Sequence, residues 1–248
     1  MKKVILKIKD LKKSYHTKDG ETKAVDSFTF DLEEGKFIAI VGPSGCGKST
    51  ILSILAGLEQ KSDGEIILED KKIGYMLQQD SLFNWRTVLD NCLLGLELNK
   101  NLDKENKDYV VNLLNTYGLK DFINSYPNQL SGGMRQRVAL IRTLATKPDL
   151  LLMDEPFSAL DYQTRLAVSD DVYKIIKNEK KSAIMVTHDI AEAISMADKV
   201  IVLSKRPCYI KEIIDIDLSD KSNPINNRKA KEFTYYYEKI WKAIDHHV

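Results

Sequence analysis

The sequence predicts an α/β fold interrupted by a helical insert, and three observations carry that prediction. The apolar run Phe37–Val41 leads into Gly42-Pro43-Ser44-Gly45-Cys46-Gly47-Lys48-Ser49-Thr50 and then into Ile51–Ala56, so that strand, glycine loop and helix follow one another. Two later apolar runs, Leu150–Met153 and Ser182–Val186, have the character of parallel strands buried on both faces. They end in Asp154-Glu155 and Thr187-His188-Asp189. Between Thr87 and Lys147 the apolar residues recur at helical spacing instead.

Taken in order, residues 3–11 alternate as a strand. The polar stretch His16–Glu21 follows as a hairpin or loop with Gly20 as its turn residue, and Phe28–Leu32 is a second alternating strand. After the glycine loop, Asp63-Gly64 is expected to turn the chain into a short strand, Glu65–Glu69, and Ile73–Leu77 is another apolar run that ends at Gln78. Val88, Leu89, Cys92, Leu93 and Leu96 mark one helix of the insert. Val110, Val111, Leu113, Leu114 and Tyr117 mark a second, stopped by Gly118, and Val138–Ala145 marks a third, closed from outside by Pro148. A helix is expected from about Gln163 to Asn178. Asp189 is a candidate N-cap for the helix after it. Lys199–Leu203 and Tyr209–Ile216 read as strands, residues 217–228 as a polar surface connection, and 229–245 as an amphipathic helix in the final segment 229–248. Tyr235, Tyr236, Tyr237 and Trp241 on that helix are expected to serve packing, and His246-His247 is too short to make a metal site.

Composition narrows the function. Lys plus Arg number 37 against 36 Asp plus Glu in 248 residues, and a near-neutral chain is not expected to take nucleic acid as its main partner. No apolar run reaches the length of about 18 residues that a membrane helix needs. The charged start, Met1–Asp10, reads as a strand and not as a signal peptide. Cys46, Cys92 and Cys208 are odd in number and far apart, so neither metal spacing nor a disulfide framework is visible, which fits a reducing compartment.

The chemistry begins with the glycine loop, which has the G-x-x-x-x-G-K-[ST] pattern in the strand-to-helix setting the pattern requires. Gly42, Gly45 and Gly47 let several backbone N–H groups converge on one anion, and the helix start adds its positive dipole end. Lys48 is the point charge for the β- and γ-phosphates of a nucleotide, and Ser49 the hydroxyl for Mg²⁺. Asp154, at a strand end, fits the second Mg²⁺ contact. Glu155 beside it can orient or polarise an attacking water. The plainer alternatives are a chance glycine turn and a carboxylate pair capping an exposed strand. Ser131-Gly132-Gly133 opens another helix and offers free N–H groups again. That is either an ordinary N-cap or a second phosphate-binding start that closes over the nucleotide of a partner copy.

Gly42–Thr50, Gln78, Leu130-Ser131-Gly132-Gly133, Leu150–Glu155, Ser158-Ala159-Leu160-Asp161 and His188 come in the order and spacing of the ATP-binding-cassette ATPases. The chain resembles that family over nearly its whole length, and Leu-Ser-Gly-Gly is the most diagnostic stretch. The resemblance implies a RecA-like P-loop NTPase core over 1–86 and 148–228 with an antiparallel β subdomain, and a helical subdomain over 87–147. All would form one ATPase domain that works as a head-to-tail homodimer with two ATP molecules between the copies. Tyr15 then looks like the aromatic that stacks on adenine, and Gly42 to Thr50 like the ATP and Mg²⁺ contacts. Gln78 resembles the residue that reaches Mg²⁺ and water and links to a transmembrane partner. Glu155 looks like the general base, His188 like the γ-phosphate switch, and Asp161 like a dimer contact.

Gln78–Asn91 is further similar to the nitrate/sulfonate/taurine importer group, with Asn84 where that group usually carries proline. This implies an ATP-hydrolysing importer subunit at the cytoplasmic face of the membrane, beneath two permease subunits supplied by an extracytoplasmic solute-binding protein. A soluble cassette acting on ribosomes or DNA would carry a second cassette, a basic extension or a coiled coil. An ATP-sensing module would be expected to lack Glu155 or His188. A P-loop kinase or GTPase does not account for Leu130–Gly133.

Overall fold

The computed structural model describes residues 3–245 except 19 and 220. Strands β1 (Val4–Thr17) and β2 (Gly20–Glu33) form a long antiparallel hairpin in which His16 pairs with Glu21. Of the two readings of the polar stretch, hairpin or loop, the structure forms the hairpin, and its ladder runs to Thr17 and Gly20. Its outer residues are exposed, so it lacks the alternation that marks a half-buried strand. Next come β3 (Phe37–Val41) and α1 (Lys48–Leu55), then β4 (Asp63–Leu68) and β5 (Ile73–Met76). Asp63-Gly64 is not a turn but the first part of β4. Gly64 has φ 89°, and a Cβ there would lie 2.3 Å from the Asp10 carbonyl oxygen. Glycine is needed at this point because β1 and β4 press together where the ladder shifts register between Lys9 and Lys12.

The helices α2 (Val88–Leu98), α3 (Lys104–Thr116) and α4 (Gly132–Ala145) pack on one another through Cys92, Val110, Leu114 and Val138. Each starts on a side-chain oxygen, of Thr87, Asp103 or Ser131, that accepts a first-turn N–H. Gly118, after α3, has φ 75°, as a helix stop requires. The chain then returns to the sheet through β6 (Leu150–Asp154), α5 (Tyr162–Asn178), β7 (Ser182–Val186), α6 (Ile190–Met196), β8 (Lys199–Leu203) and β9 (Cys208–Asp215).

The strand order is β4-β1-β2-β9-β8-β3-β7-β6-β5. Neighbours from β8 through β3, β7 and β6 to β5 run parallel, β9 is antiparallel to β8, and β9 pairs with the hairpin through β2. All five residues of β3 and of β7 are buried, as expected for parallel strands covered on both sides. Each such Ile, Val or Leu contributes about 1.5–3 kcal/mol of burial. The parallel strands hold their carboxyl ends on one edge, where loops can place chemistry.

The tail is less simple than a surface connection. It contains α7 (Pro224–Asn227), whose Asn227 is fully buried. The Asn227 amide donates to the Ser195 carbonyl (2.7 Å) and accepts from Ser222 N (2.9 Å). Lys221 reaches the Asp198 carboxylate (2.9 Å), and Leu218 is also buried. Asn227 is internal because it finds partners inside, and Lys221 is half-buried beside it. The last helix, α8 (Phe233–Asp245), begins later than expected and buries Ile240. Tyr236 packs against the core, whereas Tyr235, Tyr237 and Trp241 are exposed and pack on rings of the same helix, Tyr235 on Tyr236 and Tyr237 on Trp241. His246-His247 lies outside the described residues.

Candidate active site

Four loops meet at the carboxyl edge of the parallel strands, following β3, β5, β6 and β7. The loop after β3 winds through Gly45 (φ 71°) and Gly47 (φ 129°) into α1. Gly47 caps that helix with no side-chain hydrogen bond, and the first turn holds no acidic residue. The helix start thus keeps its N–H groups and dipole for an outside anion. Lys48 is 6% exposed and donates to the carbonyls of Gly42 and Pro43, both at 2.9 Å. An ammonium has three donors, so one remains for a phosphate oxygen. Ser44, Gly45, Gly47, Lys48, Ser49, Thr50 and Glu155 line a cavity of about 240 Å³ here. Cys46 is buried behind the loop, its Sγ 3.3 Å from where a Cβ on Gly42 would be, and fills space.

Across the cavity, β6 delivers Asp154 and Glu155. Ser49 Oγ donates to Asp154 Oδ1 (3.1 Å) and the Tyr75 hydroxyl to Oδ2 (3.5 Å). Burial pushes the Asp154 carboxyl up, the Ser49 hydrogen bond opposes that, and Glu155 beside it pushes the same way. A divalent cation next to Asp154 and Ser49 would offset that cost, so this oxygen donor set fits Mg²⁺. Glu155 has φ 43°, a left-handed backbone that costs a non-glycine residue about 1 kcal/mol or more. Its N–H donates to Val186 O (2.9 Å), which ties the turn after β6 to the end of β7. Its Oε2 lies 3.1 Å from His188 Nδ1 and accepts from Gln78 Nε2 at 3.4 Å. Gln78 also faces Ser158 Oγ at 3.4 Å. Lys48, Ser49 and Glu155 line this cavity, and hydrogen bonds or close contacts tie Asp154 to Ser49 and both His188 and Gln78 to Glu155.

Tyr15 and the Ser131–Gly133 stretch are not brought there. Tyr15 sits on the β1–β2 hairpin with the Lys13 ammonium 4.6 Å over its ring, and it is not among the residues lining the cavity. The hairpin itself touches the loop, since a Cβ on Gly47 would meet the Ala24 carbonyl at 3.2 Å. Ser131, Gly132 and Gly133 also lie elsewhere. Gly132 lines a second cavity of about 380 Å³ with Gln78, Asp80, Arg135 and Leu160. The Ser131 hydroxyl accepts from Met134 N (3.3 Å), as an N-cap does.

Sequence reasoning missed the side chains that fix these loops. Arg135 pairs with Asp80 (2.9 Å), and Arg142 donates to the carbonyls of Asp80 and Ser81, both at 2.7 Å, so α4 grips the segment after Gln78. Gln136 on the same helix donates to the Pro156 carbonyl. Asn91, fully buried, donates to the carbonyls of Phe83, Arg86 and Thr87 and leaves Trp85 exposed. Asp161 caps α5, and its hydrogen bonds from Thr164 hold its carboxyl low. The spacing Asp189-x-x-Glu192 was a legible capping-box signal. The arginines gave none, because Arg142 meets backbone carbonyls and the Asp80 partner of Arg135 lies 55 residues away.

A glycine loop at the head of an uncapped helix, facing a strand-end carboxylate pair, defines a P-loop nucleotide triphosphatase. The ABC transporter family model matches residues 25–158. The chain belongs to the ABC transporter family. It is 45% identical over 240 residues, 94% of this chain and 92% of the relative, to YtlC of Bacillus subtilis, an ABC transporter ATP-binding protein. It is 37% identical over 246 residues, 96% of this chain and 95% of the relative, to SsuB of Bacillus thuringiensis, an aliphatic sulfonates import ATP-binding protein. The ATP-binding cassette MJ0796, solved as a dimer in a post-hydrolysis state with ADP and Pi, superposes with TM-score 0.73 at 31% identity, covering 86% of this chain and 99% of that one. The protein is an ATP-binding and ATP-hydrolysing transporter subunit of a kind that dimerises. No helix among the described residues is long and apolar enough to cross a membrane.

Proposed function

We propose that this chain drives an importer of a small organic or inorganic solute of the sulfonate, taurine or nitrate type. It works as a homodimer at the cytoplasmic face of the membrane, beneath two permease subunits to which a solute-binding protein delivers cargo. The observation that carries the reading is the joining of Glu155 to both His188 and Gln78 beside the Lys48 cavity. The SsuB relative supports import and the solute class. The 87–147 helices act as a subdomain whose Ser131-Gly132-Gly133 start closes on the ATP of the partner copy, and Tyr15 stacks on adenine. Trp85, held out by Asn91 near the Gln78 loop, offers the permease an aromatic contact.

The mechanism follows from the side chains. The loop N–H groups and Lys48 hold the phosphates. Ser49, Asp154 and Gln78 would hold Mg²⁺, which would supply positive charge against the phosphate oxygens. Glu155 orients water and takes its proton as the water oxygen bonds to the γ-phosphorus and the bond to the β-phosphate oxygen breaks, leaving ADP and phosphate. His188, hydrogen-bonded to Glu155, senses and steadies the γ-phosphate.

Two measurements test this. Glu155→Gln should bind MgATP as the wild type does and lose turnover about 100- to 10,000-fold; equal turnover rules out the base assignment. Native mass spectrometry of the tagged chain from solubilised host membranes should find two copies with two multi-span proteins. Ribosomal or DNA-bound partners and no membrane protein would leave the ATPase and overturn import.

A further inference from the structure

Leu160 touches the start of α4, where a Cβ on Gly132 would lie 3.0 Å from its Cδ2. Its carbonyl accepts a hydrogen bond from Arg165 Nη2 at 2.9 Å. The same guanidinium faces the segment after β7, with Nη1 3.6 Å from Asp189 Oδ2 and Nε 3.8 Å from Glu192 Oε1. Glu192, 3% exposed, accepts from Thr187 Oγ1 at 2.8 Å, and that hydroxyl accepts from Asp189 N at 3.0 Å. His188 sits between these two pinned residues and reaches Glu155. An unbroken series of contacts therefore runs from Gly132 through Leu160, Arg165, Glu192 and Thr187 to His188 and the candidate base.

We propose that Arg165 is a positioning residue that ties the Ser131–Gly133 helix start to His188, so that seating of that start on a partner copy's ATP sets the geometry of this chain's own Glu155. The inference rests on the dimer reading above. A planar fork fixes the angle between two segments as a point charge cannot, which is why arginine suits the place. Stability alone is a poor reason for the arrangement. Arg165 Nε is buried without a hydrogen-bond partner among the described residues, and a buried carboxylate beside it is costly to desolvate. Thr187 and Asp189, pinned on either side of His188, leave the histidine backbone little freedom of its own, so movement of Arg165 is passed on to it.

The test is a double-mutant cycle on the full-length chain, reading kcat and KM for MgATP. Arg165→Lys should lower kcat about 10-fold with KM within about 2-fold, because phosphate contacts are untouched. In a His188→Ala background the same change should move kcat by less than about 2-fold, since Arg165 acts through His188. A purely structural role would give the same loss in both backgrounds, and that result, or an unchanged kcat in the first, overturns the proposal. Should Arg165→Lys fail to fold, Thr187→Val, of the same shape, breaks the series at its other end and runs the same cycle. A Glu155→Gln chain that stays monomeric at saturating MgATP in size-exclusion chromatography overturns the dimer reading itself. Equal losses in a chain that dimerises overturn the Arg165 link alone.

Discussion

Replacing Glu192 by glutamine is expected to make the folded chain gain stability, relative to wild type, as pH rises. The carboxyl is almost wholly buried, and burial first, then the nearby Asp189, pushes it from 4.5 up to about 7. The Thr187 hydroxyl, Arg165 and Arg228 pull the other way without cancelling the rise. The folded chain therefore keeps a proton that the unfolded chain releases between pH 4.5 and about 7. Across that window the folded state binds more protons, so this group's contribution is fully present below 4.5 and lost above about 7. A rise of about 2.5 at ~1.36 kcal/mol for each pH unit amounts to about 3 kcal/mol. Glutamine does not titrate, matches the neutral acid in shape and can still accept from Thr187. The difference in unfolding free energy, variant minus wild type, should climb by about 3 kcal/mol from acid to mildly alkaline solution. Urea unfolding at fixed temperature and several pH values would read this as a widening gap in midpoint of about 1 M or more, with unchanged slope. A gap that stays flat between pH 5 and 8 would refute the reasoning, because the carboxyl would then have to titrate alike in both states.

The remaining predictions concern the phosphate loop and the hairpin. Lys48→Ala removes the buried ammonium from the cavity wall, and calorimetry should find MgATP affinity lowered more than about 100-fold; near-normal affinity would remove Lys48 from the phosphate contacts. Gly64→Ala should cost roughly 2 to 4 kcal/mol, from the left-handed backbone and the collision with the Asp10 carbonyl. Urea unfolding checks it, and a loss below about 0.5 kcal/mol would mean that β1 and β4 separate freely there.

How much of this was readable beforehand varies with the kind of interaction. The buried parallel strands, the glycine loop and the Asp154-Glu155 pair could be placed because an uninterrupted apolar run and a fixed spacing each have one local cause. The hairpin was named, but not the full length of its two strands. The ladder of β1 shifts register repeatedly between Val4 and Ser14, which breaks the two-residue period that reveals a strand. Asp63-Gly64 was misread because glycine serves both turns and close approaches, and only the neighbouring strand decides between them. The tail misled because Asn227 is polar yet buried, and it and the half-buried Lys221 bond partners far away in sequence. At the candidate site the groups facing the cavity were legible from their motifs. Arg165, Thr187, Arg135 and Arg142 were not, since what matters about them is the carbonyl or carboxylate each meets in three dimensions.

One consequence lies in the way the Gln78 loop is held. Arg135 and Arg142 fasten that loop to α4, whereas Glu155 hangs from β6 and β7. The 3.4 Å between Gln78 Nε2 and Glu155 Oε2 therefore spans two supports that meet only where Gln136 of α4 holds the Pro156 carbonyl. Tilting α4 against the sheet would strain the Gln136 bond to the Pro156 carbonyl, next to Glu155, as it opened this separation, so the separation is a gauge of their relative attitude. A spectroscopic label on each side of it would let the tilt be followed while ATP is turned over.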